Sequence, residues 1–295
     1  MVTQLCHRQV DADGLSIHVI EAGTGLSAPI LCLHGWLEDA SSFAGVLGEL
    51  GRDAHVLAMD LPEVGGSSGA PPRYDARTLA GCVRAVIAAM GLRDVTLVGH
   101  DVGALVTHAY LRAFPGELTR AALLNIAIPG VDPWDEVERN PHIWHFAFHA
   151  VPELPELLVS GHERRYFDFF YDAIGGPRGV PEAARAAYAK AYSRPEALHA
   201  GFEWYRAFAG AAKANRAATG RTVETPVLYI RGDKEIGRIE DYVAGLRKAG
   251  LAKVTSRVLT ECGHFSADEQ PAQLAQVLRD FVGVTAARPL TASSG

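Results

Sequence analysis

The sequence predicts an α/β fold: a mostly parallel sheet with helices on both faces and a helical insertion. Three observations predict it. Short apolar runs bounded by Gly, Pro and Asp alternate with helix-length amphipathic stretches on both sides of the chain's middle. The alternation stops from about Pro133 to Ala218, where the sequence reads as helical and aromatic, and then resumes. The chain has 295 residues, 48% of them hydrophobic, enough for one large domain whose core needs no staples.

Two strands open the chain, near Cys6 to Asp11 and Leu15 to Glu21, with a turn at Asp13-Gly14. Pro29 to Leu33 is a short apolar strand running into His34-Gly35. A helix follows over about Ser41 to Leu50, with Ser41 or Ser42 as its N-cap. His55 to Met59 is the next strand, ending in Asp60-Leu61-Pro62 and the glycine-rich loop Gly65-Gly66-Ser67. Asp75 to Met90 has helical periodicity, with Leu79, Val83, Val86 and Ile87 on one face. The strand Asp94 to Val98, the Ala-rich helix Val102 to Phe114 and the strand Ala121 to Ile126 complete the first half.

After the insertion come a strand at Pro226 to Ile230, a helix near Glu240 to Ala249, a strand at Lys253 to Thr260 and a helix from about Gln270 to Phe281. The expected division is a core of residues 1–132 and 219–284 and a helical cap of residues 133–218. The cap is expected over the strand ends, where such sheets keep their ligands. A small polar tail, 285–295, is expected to be disordered. The cap is rich in aromatic rings from Trp134 to Phe208; most should form its own core and a minority the cavity wall.

Composition narrows the function. A net charge of -6 without a basic run argues against nucleic acid as partner. No apolar stretch approaches the ~20 residues of a membrane span, and Met1 to Asp11 lacks the apolar core and cleavage site of a signal peptide. Cys6, Cys32, Cys82 and Cys262 are far apart and read as buried reduced thiols, not as a disulfide framework or zinc site. These features point to a soluble cytoplasmic protein that needs no cofactor or metal; its oligomeric state, homodimer included, stays open.

The most informative segment is Gly99-His100-Asp101-Val102-Gly103, where an apolar strand runs into an apolar helix. A G-x-x-x-G turn in that context is a nucleophile elbow. Its small outer residues permit a sharp turn, and the middle side chain is pushed out at the positive end of a helix. That side chain is Asp101 and not the commoner Ser. A carboxylate nucleophile displaces at an sp³ carbon and leaves an ester on the enzyme, which moves the expected chemistry from ester cleavage to epoxide opening or halide removal. The alternative for Asp101 is a simple helix N-cap.

With these residues in place, the chain resembles the epoxide hydrolase and haloalkane dehalogenase branch of the α/β-hydrolase superfamily. The resemblance covers about residues 5 to 284 and rests on ordered motifs: His34-Gly35-Trp36, Asp60-Leu61-Pro62, the Asp101 elbow, Trp204-Tyr205-Arg206, Gly232-Asp233-Lys234-Glu235 and Gly263-His264-Phe265. It implies an α/β-hydrolase fold, Asp101 as nucleophile and His264 as base. Ionised Asp101 needs no base to attack. His264 would instead activate the water that hydrolyses the ester. The orienting acid falls on Glu235, with Asp233 as the alternative, and Asn125 stands where some relatives carry that acid. The backbone N–H groups of Trp36 and Val102 are the implied oxyanion donors. Leu37 replaces a proline common in relatives. His34 and His100 are read as structural.

Epoxide and halide chemistry differ in what helps the leaving group. The relatives that remove halide carry Trp after the nucleophile, or arginines there for a substrate carboxylate; this chain has Val102-Gly103-Ala104-Leu105-Val106, without charge. The resemblance places Tyr205 above the epoxide oxygen as a neutral donor, with His145 as second donor and His142 and His149 as its competitors. Trp36, Trp144, Phe146 and Trp204 are the expected substrate-binding rings. The expected function is opening of a hydrophobic, aryl or polycyclic epoxide to a vicinal diol, with water as co-substrate. The alternatives are a haloalkane or haloacid dehalogenase of the same Asp-His mechanism and, more distantly, a ligand-binding or lyase member of the fold.

Overall fold

A computed structural model describes residues 3–218 and 220–284. The 285–295 tail lies outside the described residues. The sheet has eight strands: β1 (Cys6–Ala12), β2 (Leu15–Ala22), β3 (Ser27–Leu33), β4 (Ala54–Met59), β5 (Thr96–His100), β6 (Arg120–Leu124), β7 (Val227–Gly232) and β8 (Val254–Leu259). Their order is β1-β2-β4-β3-β5-β6-β7-β8. The β1–β2 and β2–β4 pairs are antiparallel; every later pair is parallel.

The central strands read as unbroken apolar runs because both faces are covered. Successive residues feed opposite layers. Leu31, Leu33, Leu97, Ala121, Leu123, Val227 and Tyr229 face one core, with Leu79, Val83, Leu105 and Leu246 from the covering helices. Ile30, Cys32, Val98, Ala122, Leu124, Leu228 and Ile230 face the other, with Val46, Leu47, Leu274 and Leu278. Each buried Leu, Ile or Val contributes about 1.5–3 kcal/mol, so a charge at Leu31 or at Ile30 would disrupt one layer or the other.

Helix ends fall close to their signals. Asp75 caps the helix Ala76–Ala89 by accepting from Thr78 N–H. The stretch from Ser41 differs from expectation: Asp39, not a serine, caps a 3-10 turn Ala40–Phe43, and the α-helix starts only at Ala44. Cys6 also departs from expectation; it is exposed on the outer strand, while Cys32, Cys82 and Cys262 are buried free thiols. Among the described residues no helix is long and apolar enough to cross a membrane.

Between β6 and β7 the described chain is mainly helical, from Trp134–Arg139 to Phe208–Ala217. This segment is tied to the loops that leave the carboxyl ends of the strands. Tyr171 donates its hydroxyl hydrogen to the Leu37 carbonyl after β3. Arg194 donates to the carbonyls of Glu63, Gly65 and Ser67 after β4. The Ile174 carbonyl accepts from His264 N–H after β8.

Candidate active site

Asp101 sits at the junction of β5 and the helix Val102–Ala113 with φ 48° and ψ -117°. A non-glycine residue in that region is strained, and such strain marks a side chain held in place by its surroundings. Three glycines make the turn feasible. A Cβ on Gly99 would strike the Gly103 carbonyl, one on Gly103 the Leu33 and His34 carbonyls, and one on Gly35 would lie 2.6 Å from Asp101 Cβ. Asp101 does not cap its helix through its side chain. Its Oδ1 accepts instead from Trp36 N–H at 2.9 Å. Val102 N–H, first in the helix, has no hydrogen-bond acceptor among the described residues. Leu37, in the position of the missing proline, takes φ 71°.

His264 stands between two carboxylates. Its Nδ1 is 3.1 Å from Glu235 Oε1 and its Nε2 is 3.7 Å from Asp101 Oδ2. Glu235 Oε2 also accepts from Asn125 Nδ2 at 2.8 Å and Arg231 Nε at 3.1 Å. Asp233, the competing acid, does not meet His264; it accepts from Cys262 N–H at 3.1 Å and faces Lys234. Asn125 therefore hydrogen-bonds the carboxylate that meets His264. It also accepts from the Ser266 hydroxyl.

The loop carrying His264 is held by Glu269 and by His100 with Glu38, and neither glutamate stands out in the sequence. Buried Glu269 accepts from the N–H groups of Gly176, Gly263 and Phe265 at 2.7, 2.8 and 3.0 Å. His100 Nε2 donates to the His264 carbonyl at 2.8 Å, and His100 Nδ1 meets Glu38 Oε2 at 2.7 Å. Both His100 nitrogens thus face acceptors, which fits an imidazolium paired with the Glu38 carboxylate. Burial opposes the charge of both partners, but their mutual attraction raises the His100 pKa and lowers that of Glu38. His100 is structural, as expected, and it is also a buried charge beside the elbow. Glu38 lies 62 residues away in sequence, so no local pattern announces the pair.

The electrostatics follow from these pairs. Burial alone would raise the Asp101 carboxyl, but His264, then His100 and the Trp36 N–H, hold it at about 2. Burial alone would lower the His264 imidazole, but Asp101 and Glu235 lift it to about 10. The resting site is a carboxylate, an imidazolium and a second carboxylate in a row.

Asp101 and His264 open onto a cavity of about 640 Å³. Tyr205 and His145 line it with them, their rings 6.0 Å apart between centroids. The Tyr205 hydroxyl makes no hydrogen bond among the described residues. Burial first, and then the Asp101 charge, push its pKa well above the ordinary phenol value. His145 is held neutral, at about 4, mainly by burial. Of its competitors, His142 lies at the exposed mouth, and His149 is buried away from the cavity against the Tyr166 hydroxyl at 2.7 Å.

Trp36 and Phe146 line the cavity, and Phe170 joins them. Two expected rings do not. Trp144 is 44% exposed and packs on Phe148, Phe169 and Phe170. Trp204 is buried against His34 and a different groove. The reason is helical geometry: neighbours in sequence point about 100° apart, so when Tyr205 and His145 face the cavity, the residues before them face elsewhere.

A profile of the alpha/beta hydrolase fold matches residues 28–271. The chain is similar to a soluble epoxide hydrolase of Corynebacterium sp. (strain C12), 26% identical over 278 residues that span 92% of this chain and 95% of the relative. It is also similar to a fluoroacetate dehalogenase of Burkholderia sp., 28% identical over 287 residues that span 93% of each chain. Among solved structures, Cfl2 from Burkholderia cenocepacia superposes with a TM-score of 0.84 at 32% identity, covering 93% of this chain and 95% of that one.

Proposed function

Because the chain belongs to the alpha/beta hydrolase fold family and is a hydrolase, we propose that it opens a hydrophobic epoxide to a vicinal diol through an alkyl ester on Asp101. The observation that carries this reading is the Tyr205 phenol: protonated, without a hydrogen-bond partner among the described residues, and lining the same cavity as the Asp101 carboxylate. Residues 133–218 act as the cap that brings it there.

In the first half-reaction Asp101 Oδ2 attacks an epoxide carbon while Oδ1 stays on Trp36 N–H. The C–O bond breaks, and the leaving oxygen takes its proton from the donor pair Tyr205 and His145. In the second, water attacks the ester carbonyl carbon of Asp101. His264 Nε2 receives the water proton, and the oxyanion rests on the N–H groups of Trp36 and Val102. Collapse releases the diol and restores the carboxylate with one oxygen from water. Esterification erases the Asp101 charge that holds the His264 proton, so alkylation itself lowers the His264 pKa; that proton passes to the donor pair that protonated the leaving oxygen, which restores the donors and leaves His264 neutral as a base. Glu235 remains to orient the ring.

The site takes a bulky apolar substrate: Trp36, Phe146 and Phe170 surround it, and the Val102–Val106 stretch brings no cation for a small acid. A reducing cytoplasmic setting belongs to the same reading, since the described cysteines are free thiols. The test is a panel of aryl, alkyl and polycyclic epoxides beside haloalkanes and haloacids, in heavy-oxygen water. Diol formation with label entering Asp101 and the diol supports the reading. Halide release without epoxide turnover would assign the site to dehalogenation, and no turnover with tight binding to a ligand-binding role.

A further inference from the structure

A second concave surface, about 1070 Å³, lies between the core helices Ala76–Ala89 and Val102–Ala113 and the inserted helices Pro195–Arg206 and Phe208–Ala217. It backs onto the Asp101 cavity, since Val102 follows Asp101 and Trp204 precedes Tyr205 in the chain. Part of its wall is apolar, with Leu79, Leu105, Ile128 and Phe208. Its charge is one-sided. Arg73, Arg77, Arg112, Arg206 and Arg221 line it, against Asp75 as the one acidic residue among the described lining.

That acid is already engaged, by Arg73 at 2.8 Å and by the helix start it caps. Arg206 has Glu156 and Glu203. Arg77, Arg112 and Arg221 meet no carboxylate within ion-pair distance among the described residues. Arg112 donates to the carbonyls of Ala249 and Ala218 at 2.9 and 2.6 Å, which satisfies its N–H groups without neutralising its charge. Burial first, and then the nearby Arg221 charge, lower the Arg112 pKa. In a chain of net charge -6, uncompensated guanidinium groups on one concave, half-apolar surface repel one another unless an anion sits among them.

We propose that this groove binds an amphipathic carboxylate, its head group held by the unpaired guanidinium groups of Arg77 and Arg221 beside the Arg112 charge and its apolar chain laid along Leu105 and Phe208. The planar guanidinium fork matches a carboxylate, and the apolar wall supplies what a bare inorganic anion would not use.

Decanoate is the probe. Calorimetric titration of the full chain should show one binding event, at least ~10-fold tighter than decanol and weakened by added salt. Arg77→Gln with Arg221→Gln, both at exposed positions, should weaken decanoate at least ~10-fold and leave decanol unchanged. Gly210 lines the groove, and a Cβ there meets nothing within 4 Å, so Gly210→Trp fills the groove from an exposed helix surface and should abolish decanoate binding. Absence of binding, equal affinity for decanol, or unchanged affinity in the double arginine variant overturns the proposal. So does full binding to Gly210→Trp, which would put the amphiphile in the Asp101 cavity.

Discussion

His264 Nε2 stands 3.7 Å from Asp101 Oδ2, close enough to stabilise the carboxylate and too far to tie up its lone pair in a hydrogen bond. The oxygen proposed to attack is thus charged and free, while Oδ1 is anchored to Trp36.

Asp101→Ala should abolish turnover and keep the fold, because it removes the group on which the intermediate forms. Steady-state assays beside circular dichroism check this; activity above a few per cent of the parent would sink the covalent route.

His264→Gln should separate the two half-reactions. Alkylation proceeds without a base, so the variant should retain about one substrate equivalent as an Asp101 ester, read as a mass increase on the intact protein. If no adduct builds up with a substrate the parent turns over, the assigned role of His264 is wrong.

Tyr205→Phe keeps the ring and deletes the hydroxyl. The expected loss is ~10- to 1000-fold in the first half-reaction, or ~1.4 to 4 kcal/mol, with residual activity from His145. Adding His145→Ala should leave almost none. Parent-like epoxide opening by Tyr205→Phe would move the donor elsewhere.

The His264 imidazole, raised to about 10 in the folded chain, should stay protonated in an NMR titration through pH 8. Asp101→Asn, which mimics the uncharged ester, should bring its pKa down. The unfolded imidazole titrates near ~6.5. The stabilisation from this pairing is therefore complete below that value and lost as pH rises through about 10. Urea stability should accordingly fall between pH 7 and 10, and fall less in Asp101→Asn. Equal slopes in the two proteins would contradict the coupling.

Glu38→Ala leaves the His100 imidazole buried without its counter-charge. Removing one partner of such a pair costs about 3–5 kcal/mol. Denaturant titration should show that drop, and a loss below 1 kcal/mol would mean that His100 is neutral at rest.

The legible part of this molecule was what is local. Short continuous apolar runs between turn residues marked β3, β5, β6 and β7, and the elbow stood out because only small residues fit at Gly99 and Gly103. Asp233 and Glu235 share one loop, so spacing alone left both open; hydrogen bonding to His264 separates them. The aromatic insertion offered rings at nearly every phase of its helices, which is why Trp144 and Trp204 were expected at the cavity with Phe146 and Tyr205. Glu38, His100 and Glu269 act across long sequence gaps and through backbone atoms, and neither leaves a pattern in a one-dimensional chain.

The strand order has a consequence for how the protein is born. β5 lies at the middle of the sheet, beside β3, whereas His264 follows β8 at the far edge. On a ribosome, the elbow can be flanked by its neighbours while the chain between residues 101 and 264 is still being made. At ~5–20 residues per second, that interval is on the order of ten seconds or more. A nascent or truncated chain that ends before β8 would carry Asp101 without His264. On the proposed chemistry, each encounter with an epoxide would then cost one polypeptide, so premature termination would yield a suicide trap and not merely an inactive fragment.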